Sequence, residues 1–490
     1  MLAIIETIMC GIVGFIGREK IVYDLMMGLT ALQHRGQDAA GITTFKKLFH
    51  EKKGLGLVNN VFEEKHLERL IGDIGIGHVR YTTHGSNELK NAQPIGTNYP
   101  FGISMAHNGN VTNFEEISER LYREHHILPN TTNDLELILY TFVSELRAAK
   151  DLGNVRPEDI FDAVEATQKT VQGAYSVVSI IANHGLLAFC DPNGIRPLIL
   201  GKKETEQGIV YGVASETVCF DHLEYEVVRD LAPGEMIFID KNKQIHVRHG
   251  HKIEQRFCVF EFIYFAREDS YLHTRLVAGQ RVKMGRQLAD RVREAGLEPD
   301  IVIDVPTSGY FAASGMAEEL GIPHRRGLVK SNYIGRSFIS SKQSEREDIV
   351  KRKLNPISKT VEGKKVAVVD DSIVRGTTSK RIVQILRDAG AAEIYFISAA
   401  PPLLHPCIYG IDMSVTTELI AANRTVESIR DYIGADALVY QSLEELKKQF
   451  DSMGLNTCMA CLSGDYPTPN AELALQQIEQ ERRAVKQNQY

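Results

Sequence analysis

The 490-residue sequence predicts two domains of different class. The first is an α+β unit in which sheet packs on sheet under flanking helices; the second is an α/β unit on a parallel sheet. Three observations carry this. Short β-type runs crowd the first half, and from about Ala174 to Val247 strand follows strand. From Pro299 the rhythm becomes strand, helix, strand, which requires crossover connections and so a parallel sheet. The length suits two or three domains, each burying its own core.

In chain order, "CGIVGFIG", "IGIGHVRYTT", "FGISMAHNG", "AYSVVSIIAN" and "GIVYGVASE" are β-type runs bounded by Gly, Asn and Pro. Between some of them, "IVYDLMMGLTALQHRG" and "NDLELILYTFVSEL" place apolar residues three and four apart and predict helices. The pattern changes after "HVRHGHKIEQ", which puts the domain boundary near residues 250–260. Then "DIVIDVP", "GYFAASGMAEELG", "KKVAVVDDS", "TTSKRIVQILRDAG" and "EIYFISAA" alternate strand and helix. The tail after "YPTPN", residues 471–490, is polar with a helical pattern and is expected to fray.

Composition excludes several classes. A net charge of −7 argues against a general nucleic-acid binder, whose phosphate-neutralising surface would push the balance positive. No apolar run reaches the roughly 18 residues of a membrane span. Nothing before Cys10 is basic and Glu6 interrupts the apolar stretch, so no secretory signal is read and a cytoplasmic protein is expected. The cysteines are Cys10, Cys190, Cys219, Cys258, Cys407, Cys458 and Cys461. An odd number in such a chain suggests a nucleophile or metal ligands rather than disulfides. Cys190 and Cys219 read as core residues on apolar strands.

The strongest chemical signal is "VAVVDDSIVRGTTS", Val366 to Ser379. A buried strand ends in Asp370 and Asp371, and a turn with Gly376, Ser372, Thr377, Thr378 and Ser379 enters a helix. Backbone N–H groups at such a turn, with the helix dipole behind them, make an anion site. The acids would repel a phosphate and suit ribose hydroxyls or a divalent cation. Paired acids alone would more often cap a helix, but their convergence with Gly and hydroxyls at a strand's carboxyl end favours a ligand. The stretch resembles the phosphoribosyl pyrophosphate (PRPP) signature of type I phosphoribosyltransferases. That resemblance implies that Asp370 and Asp371 serve the ribose and magnesium, with Ser308 of "DVPTSG" near the metal. It also implies that Asp371, Ser372, Arg375, Gly376, Thr377, Thr378 and Ser379 hold the 5′-phosphate. "KSNYIGRSFISSKQSEREDIVKRKLNP" looks like the family's lid.

A lone Cys in a strand is usually a small core residue. Four further segments, "QHRGQDAAG", "GHVRYTTHG", "AHNGN" and "TTNDLE", change that balance. With "CGIVGF" they resemble, in order, the N-terminal-nucleophile glutamine amidotransferases, which implies an αββα sandwich. A free amine on Cys10 would have a reference pKa of about 7.7–8.0 and the thiol about 8.5, so one residue could supply base and nucleophile. The resemblance implies Asn108 and the Gly109 N–H as the oxyanion hole, Arg80 on the α-carboxylate of glutamine, and Asp134 on its α-ammonium. His78 and His84 are read as structural.

"CMAC", Cys458 to Cys461, is open to zinc, redox and iron–sulfur readings, and Cys258 and Cys407 could complete a four-thiolate set. These contexts resemble the amidophosphoribosyltransferases that carry a 4Fe-4S cluster. The resemblance runs from Cys10 to about Pro467 and implies a glutaminase domain (10–250), a phosphoribosyltransferase domain with the cluster segment (251–470) and the tail. It further implies transfer of ammonia from glutamine to PRPP, giving 5-phosphoribosylamine, pyrophosphate and glutamate in purine synthesis, with magnesium, a homotetramer and feedback by purine nucleotides. Two alternatives are a hexosamine-phosphate synthase, which shares the first domain, and a PRPP- or nucleotide-sensing regulator. Residues 1–9 would be absent from the mature enzyme, because the amine must be free. The sequence favours Met9 as the true start over a self-cleaved leader.

Overall fold

The computed structural model describes residues 9–81, 88–148, 155–250, 253–331, 354–411, 415–469 and 471–487. Met1 to Ile8, His84 and most of the expected lid lie outside them.

Strand Gly11–Ile16 shows how the first unit is layered. Its residues alternate by face. Ile12 and Ile16 point toward Val178, Ile180, Leu186 and Ile237 of a second sheet, while Val13 and Phe15 point the other way, toward Leu25 and Leu29 of helix Val22–Ala31. Both faces are buried, so polar alternation is absent and the run reads as continuous apolar sequence. Among the described residues the first sheet has seven strands. They run Glu226–Asp230, Ile199–Thr205, Gly208–Ala214, Gly11–Ile16, Ile74–Arg80, Ala39–Phe45, Phe49–Leu55, with antiparallel pairing throughout. The second has six, in the order Ile245–His249, Glu235–Asp240, Gly185–Cys190, Gly173–Ile181, Ile103–Val111, Ile95–Thr97. Helices Leu135–Leu146 and Pro157–Thr170 cover its outer face through Leu139, Phe142, Ile160 and Val164. The result is the four-layer αββα sandwich.

The second unit is built on four parallel strands, Ile301–Asp304, Lys365–Asp370, Glu393–Ser398 and Ala437–Tyr440. Val366 and Val368 meet Ile382 and Leu386 on one face; Ala367 and Val369 meet Leu288, Val292 and Met316 on the other. A strand apolar on both faces needs helices on both, which the strand–helix alternation supplies.

Two expectations are corrected. Cys219 is buried, but in helix Val218–Leu223 rather than on a strand. The apolar run through "GIVYGVASETVCF" conceals a break after Ala214, and periodicity does not separate two short apolar elements. The C-terminal helix, Ala471–Gln487, is not a free tail at its start: Ala474 and Ile478 are buried in the core that holds Cys458 to Leu462.

The boundary region is also a joint. Arg256 N donates to Asn193 O at 2.9 Å and Cys258 N to Ile195 O at 3.1 Å, so the chain leaving the sandwich hydrogen-bonds back to it.

Candidate functional site

Cys10 immediately precedes strand Gly11–Ile16, at the edge of a buried floor formed by the neighbouring strands. Its Sγ lies 3.9 Å from Tyr81 O. Burial pushes the thiol above its ordinary pKa, with Arg80 and Arg35 pulling the other way. Arg35 Nε donates to Cys10 O at 3.0 Å. The same guanidinium, fully buried, donates to Glu216 and, at 2.8 Å, to Glu261 Oε1 of the joint. Glu216 Oε2 also accepts from Arg267 N at 2.9 Å and from Ser270 Oγ at 2.6 Å. Burial works against its charge, but His34 and Arg35 hold the Glu216 carboxyl well below the usual range. Arg35 lies in "QHRGQDAAG" and Glu216 ends "GIVYGVASE", but nothing in either segment, nor around Glu261, marks these charges as partners.

Asn108 and Gly109 sit side by side on strand Ile103–Val111, opposite Ser176 and Tyr175. Asn108 is buried, and its Nδ2 has no hydrogen-bond partner among the described residues. A buried donor left open costs on the order of 1–3 kcal/mol unless something fills it, so this nitrogen is positioned for a ligand oxygen. Gly109 has φ +148, and a Cβ there would overlap Ala174 O. Only glycine brings the backbone so close. Asp134 sits at the start of helix Leu135–Leu146, and its Oδ2 accepts from Val111 N at 2.9 Å. Arg80 ends strand Ile74–Arg80 and is buried.

His107, immediately before Asn108 on this strand, was also missed. Its backbone N donates to Gln93 Oε1 at 2.8 Å, which turns the Gln93 amide nitrogen toward His107 Nδ1, also at 2.8 Å. Nδ1 must then accept, and the proton lies on Nε2, 3.2 Å from Asp134 Oδ2. His78 is fully buried and held well below its usual pKa by desolvation, then by His107 and Arg80, so it stays neutral.

At the second site, strand Lys365–Asp370 ends between its parallel neighbours and the chain turns through Gly376, φ +73, into helix Thr377–Asp388. Asp370, Asp371, Ser372, Arg375, Gly376, Thr377, Thr378, Ser379 and Ser308 all line one cleft of about 250 Å³. Met9, His34, Arg35 and Gln37 of the first domain line the same cleft. Asp371 accepts from Ser372 Oγ at 2.6 Å. Burial raises both aspartates, and for Asp370 the neighbouring Asp371 charge adds to it. Such a pair suits a divalent cation, which would relieve both effects, with the Ser308 hydroxyl as a further oxygen donor. Arg375 is paired with Glu418, Nη2 to Oε2 at 2.6 Å. Arg281, unremarked in the sequence, is buried against the carbonyls of Phe262, Tyr264 and Ala266 and faces Asp371.

The four remaining cysteines of interest are neighbours. Cys258 and Cys458 are partners in a parallel strand pair, and Leu404 N and His405 N both donate to Cys461 O at 3.0 Å, which ties the Cys407 segment alongside. Burial raises the Cys258 thiol to about 11; Cys458 and Cys461 are also raised, first by burial and then by the other thiols. Among the described residues no three His, Cys, Asp or Glu side chains close on a point that one ion could occupy. Four thiolates drawn from three segments are a donor set that suits either a structural zinc or an iron–sulfur cluster.

Two family models match the chain: "Glutamine amidotransferase domain" over residues 78–222 and "Phosphoribosyl transferase domain" over residues 277–401. The amidophosphoribosyltransferase of Pseudomonas aeruginosa is 44% identical over 97% of this chain and 96% of its own. That of Escherichia coli is 45% identical over 89% of this chain and 88% of its own. Among solved structures, the glutamine PRPP amidotransferase of B. subtilis complexed with ADP and GMP superposes with a TM-score of 0.83. It is 37% identical, covering 94% of this chain and 97% of its own.

Proposed function

Because the chain belongs to the amidophosphoribosyltransferase family, whose members transfer the amide nitrogen of glutamine to PRPP in purine biosynthesis, we propose that Cys10 is the glutamine nucleophile and that the cleft beyond Lys365–Asp370 holds PRPP. One observation carries this reading. The cleft that gathers the acids and hydroxyls of the second domain is walled by His34, Arg35 and Gln37 of the first, and the Arg35 guanidinium holds the Cys10 carbonyl. With the family shown, the hexosamine-phosphate synthase and the sensing regulator fall away.

The chemistry follows residue by residue. The buried thiol holds its proton, so a base is needed at the nucleophile itself, and the free α-amine of Cys10 supplies it. Sulfur attacks the side-chain amide carbon of glutamine; the oxygen, gaining charge, takes donors from Asn108 Nδ2 and the Gly109 N–H. Arg80 pairs with the α-carboxylate and Asp134 with the α-ammonium. Ammonia leaves, and water releases glutamate from sulfur. Ammonia then reaches the cleft unprotonated and forms a bond to C1 of PRPP as the C1–oxygen bond to pyrophosphate breaks. Asp370 and Asp371 hold the ribose hydroxyls, and the turn from Asp371 through Ser372, Arg375, Gly376, Thr377 and Thr378 to Ser379 holds the 5′-phosphate. Magnesium, held by Ser308, Asp370 and Asp371, would offset the charge of the departing pyrophosphate.

The same reading gives Cys258, Cys407, Cys458 and Cys461 to a 4Fe-4S cluster with a structural role, cross-linking the joint to the C-terminal segment. It assigns residues 10–250 to the glutaminase domain, 251–470 to the phosphoribosyltransferase domain and 471–490 to the tail. Residues 1–9 are absent from the mature enzyme. Met9 is buried beside Arg196 and lines the cleft next to Cys10, so its loss would open the wall between the two, and this supports the reading. The enzyme is a cytoplasmic homotetramer regulated by purine nucleotides; the B. subtilis relative bound to ADP and GMP supports the regulation. No helix of the described residues is long and apolar enough to cross a membrane.

Cys10→Ala should abolish glutamine-dependent activity and keep activity with added ammonia, while Asp371→Asn should damage both. Intact mass should match a chain beginning at Cys10. Full glutamine-dependent turnover by Cys10→Ala would refute the assignment.

A further inference from the structure

Gly109 is held at two places, and one of the contacts comes from the other domain. Within its own sheet, Gly109 is packed so closely on Ala174 O that no side chain fits. At its carbonyl end it meets Gly410, φ +94, in the loop that follows Cys407. A Cβ on Gly410 would stand 2.9 Å from both Gly109 C and Gly109 O. The next residue on the strand completes the grip: Asn110 Nδ2 donates to Ile408 O at 3.0 Å. The loop is itself fixed, because Tyr409 O accepts from Arg196 Nε at 3.0 Å and again from Nη2. Asn110, Ile408, Tyr409 and Arg196 are all buried.

An oxyanion hole works only if its donors meet at one point, since donors 2.7–3.1 Å from the developing oxygen are effective and those displaced from it are not. Asn108 Nδ2 and the Gly109 N–H leave adjacent residues, so rotating the peptide between them swings one donor away from the other. A glycine with positive φ has unusual freedom to do so. The sheet restrains Gly109 at its contact with Ala174 O; the loop from the second domain restrains the carbonyl end of the same residue.

We propose that Asn110 and Gly410 are positioning residues for glutamine hydrolysis, holding the Gly109–Asn110 peptide against the second domain so that Gly109 cannot turn and its N–H converges with Asn108 Nδ2. This rests on the assignment of Asn108 and Gly109 as those donors. Neither Asn110 nor Gly410 lines the PRPP cleft. The clamp acts on the rate of the chemical step at Cys10 and leaves the PRPP cleft unchanged.

The test uses the full-length enzyme with its metal centres intact and three variants: Asn110→Ala, Gly410→Ala and Asn108→Ala. For each, kcat and KM for glutamine are measured alongside the rate with ammonia, and thermal unfolding reports folding. Asn110→Ala and Gly410→Ala should lower kcat with glutamine by about 10- to 100-fold, the scale of a misplaced oxyanion donor. KM for glutamine should stay within about threefold, and the ammonia-dependent rate should be unchanged. Asn108→Ala should show the same split. If Asn108→Ala loses glutamine turnover while both clamp variants keep kcat, the clamp is wrong and the oxyanion assignment stands. If Asn108→Ala keeps it, the assignment falls and takes the clamp with it. A parallel loss of both activities in the clamp variants would mark a merely structural role and overturn the proposal.

Discussion

Replacing Glu261 by Gln probes the joint between the domains most directly. Arg35 and both its carboxylate partners, Glu216 and Glu261, have side chains with no solvent exposure. Gln has nearly the same shape and retains one acceptor for the guanidinium, so packing is preserved while the charge and one of two hydrogen bonds are lost. Breaking a buried pair by removing one partner costs about 3–5 kcal/mol where the remaining charge is left without compensation; Glu216 still faces Arg35, so that range is the ceiling. For a cooperative unit of about 150–250 residues that ceiling corresponds to a Tm lower by roughly 6–20 °C. Because Glu261 comes from the joint and Arg35 holds the Cys10 carbonyl, glutamine-dependent activity should fall more than ammonia-dependent activity. Thermal unfolding of Glu261→Gln, Arg35→Met and the double variant measures the coupling. The double variant should be milder than the sum of the singles by about 1–3 kcal/mol. Strict additivity, or a Tm for Glu261→Gln within about 2 °C of the parent, the effect expected of an exposed pair, would refute the reasoning. Acid gives a second reading of the same network. Glu216 titrates in the fold below its unfolded value, so its contribution is complete above that value and is lost as pH falls through the folded one. Stability should therefore drop below about pH 4.5, and Glu216→Gln should flatten that limb.

Two more outcomes follow from other parts of the molecule. His107→Phe should raise KM for glutamine about tenfold, the worth of one hydrogen bond to a charged group, with ammonia-dependent activity unchanged; His107→Gln, which can still donate to Asp134, should recover part of it, and an unaltered KM in His107→Phe would exclude the link. Enzyme made anaerobically should be brown and contain iron, and Cys458→Ser should be colourless and less stable, because one lost ligand undoes a cross-link between segments paired in register; a colourless parent with stoichiometric zinc would rule out the cluster.

The chain's own residues, read in order, determine the elements whose chemistry is local. Val366 to Ser379 is legible because strand, acids, glycine turn and helix lie within one stretch of chain, and the hydrogen bonds that shape them are made among near neighbours. The same holds for Cys10 ahead of its apolar strand, and for Asn108 beside Gly109. Burial of both faces of Gly11–Ile16 is likewise visible as an unbroken apolar run. Cys219 was misplaced because an apolar run shorter than two helical turns has no period to read. What only the tertiary structure decides is which distant residues share a desolvated space. Arg35 and Glu261 are 226 positions apart, and nothing in either neighbourhood marks a charge that will be stripped of water and must find its partner. Cys258 meets Cys458 because two strands of two residues each happen to pair in parallel, and Gly410 reaches Gly109 across the domain joint. Spacing along a chain carries no information about such meetings. They follow from the cost of burying a charge or an open donor without a partner, which is set by the packed fold as a whole.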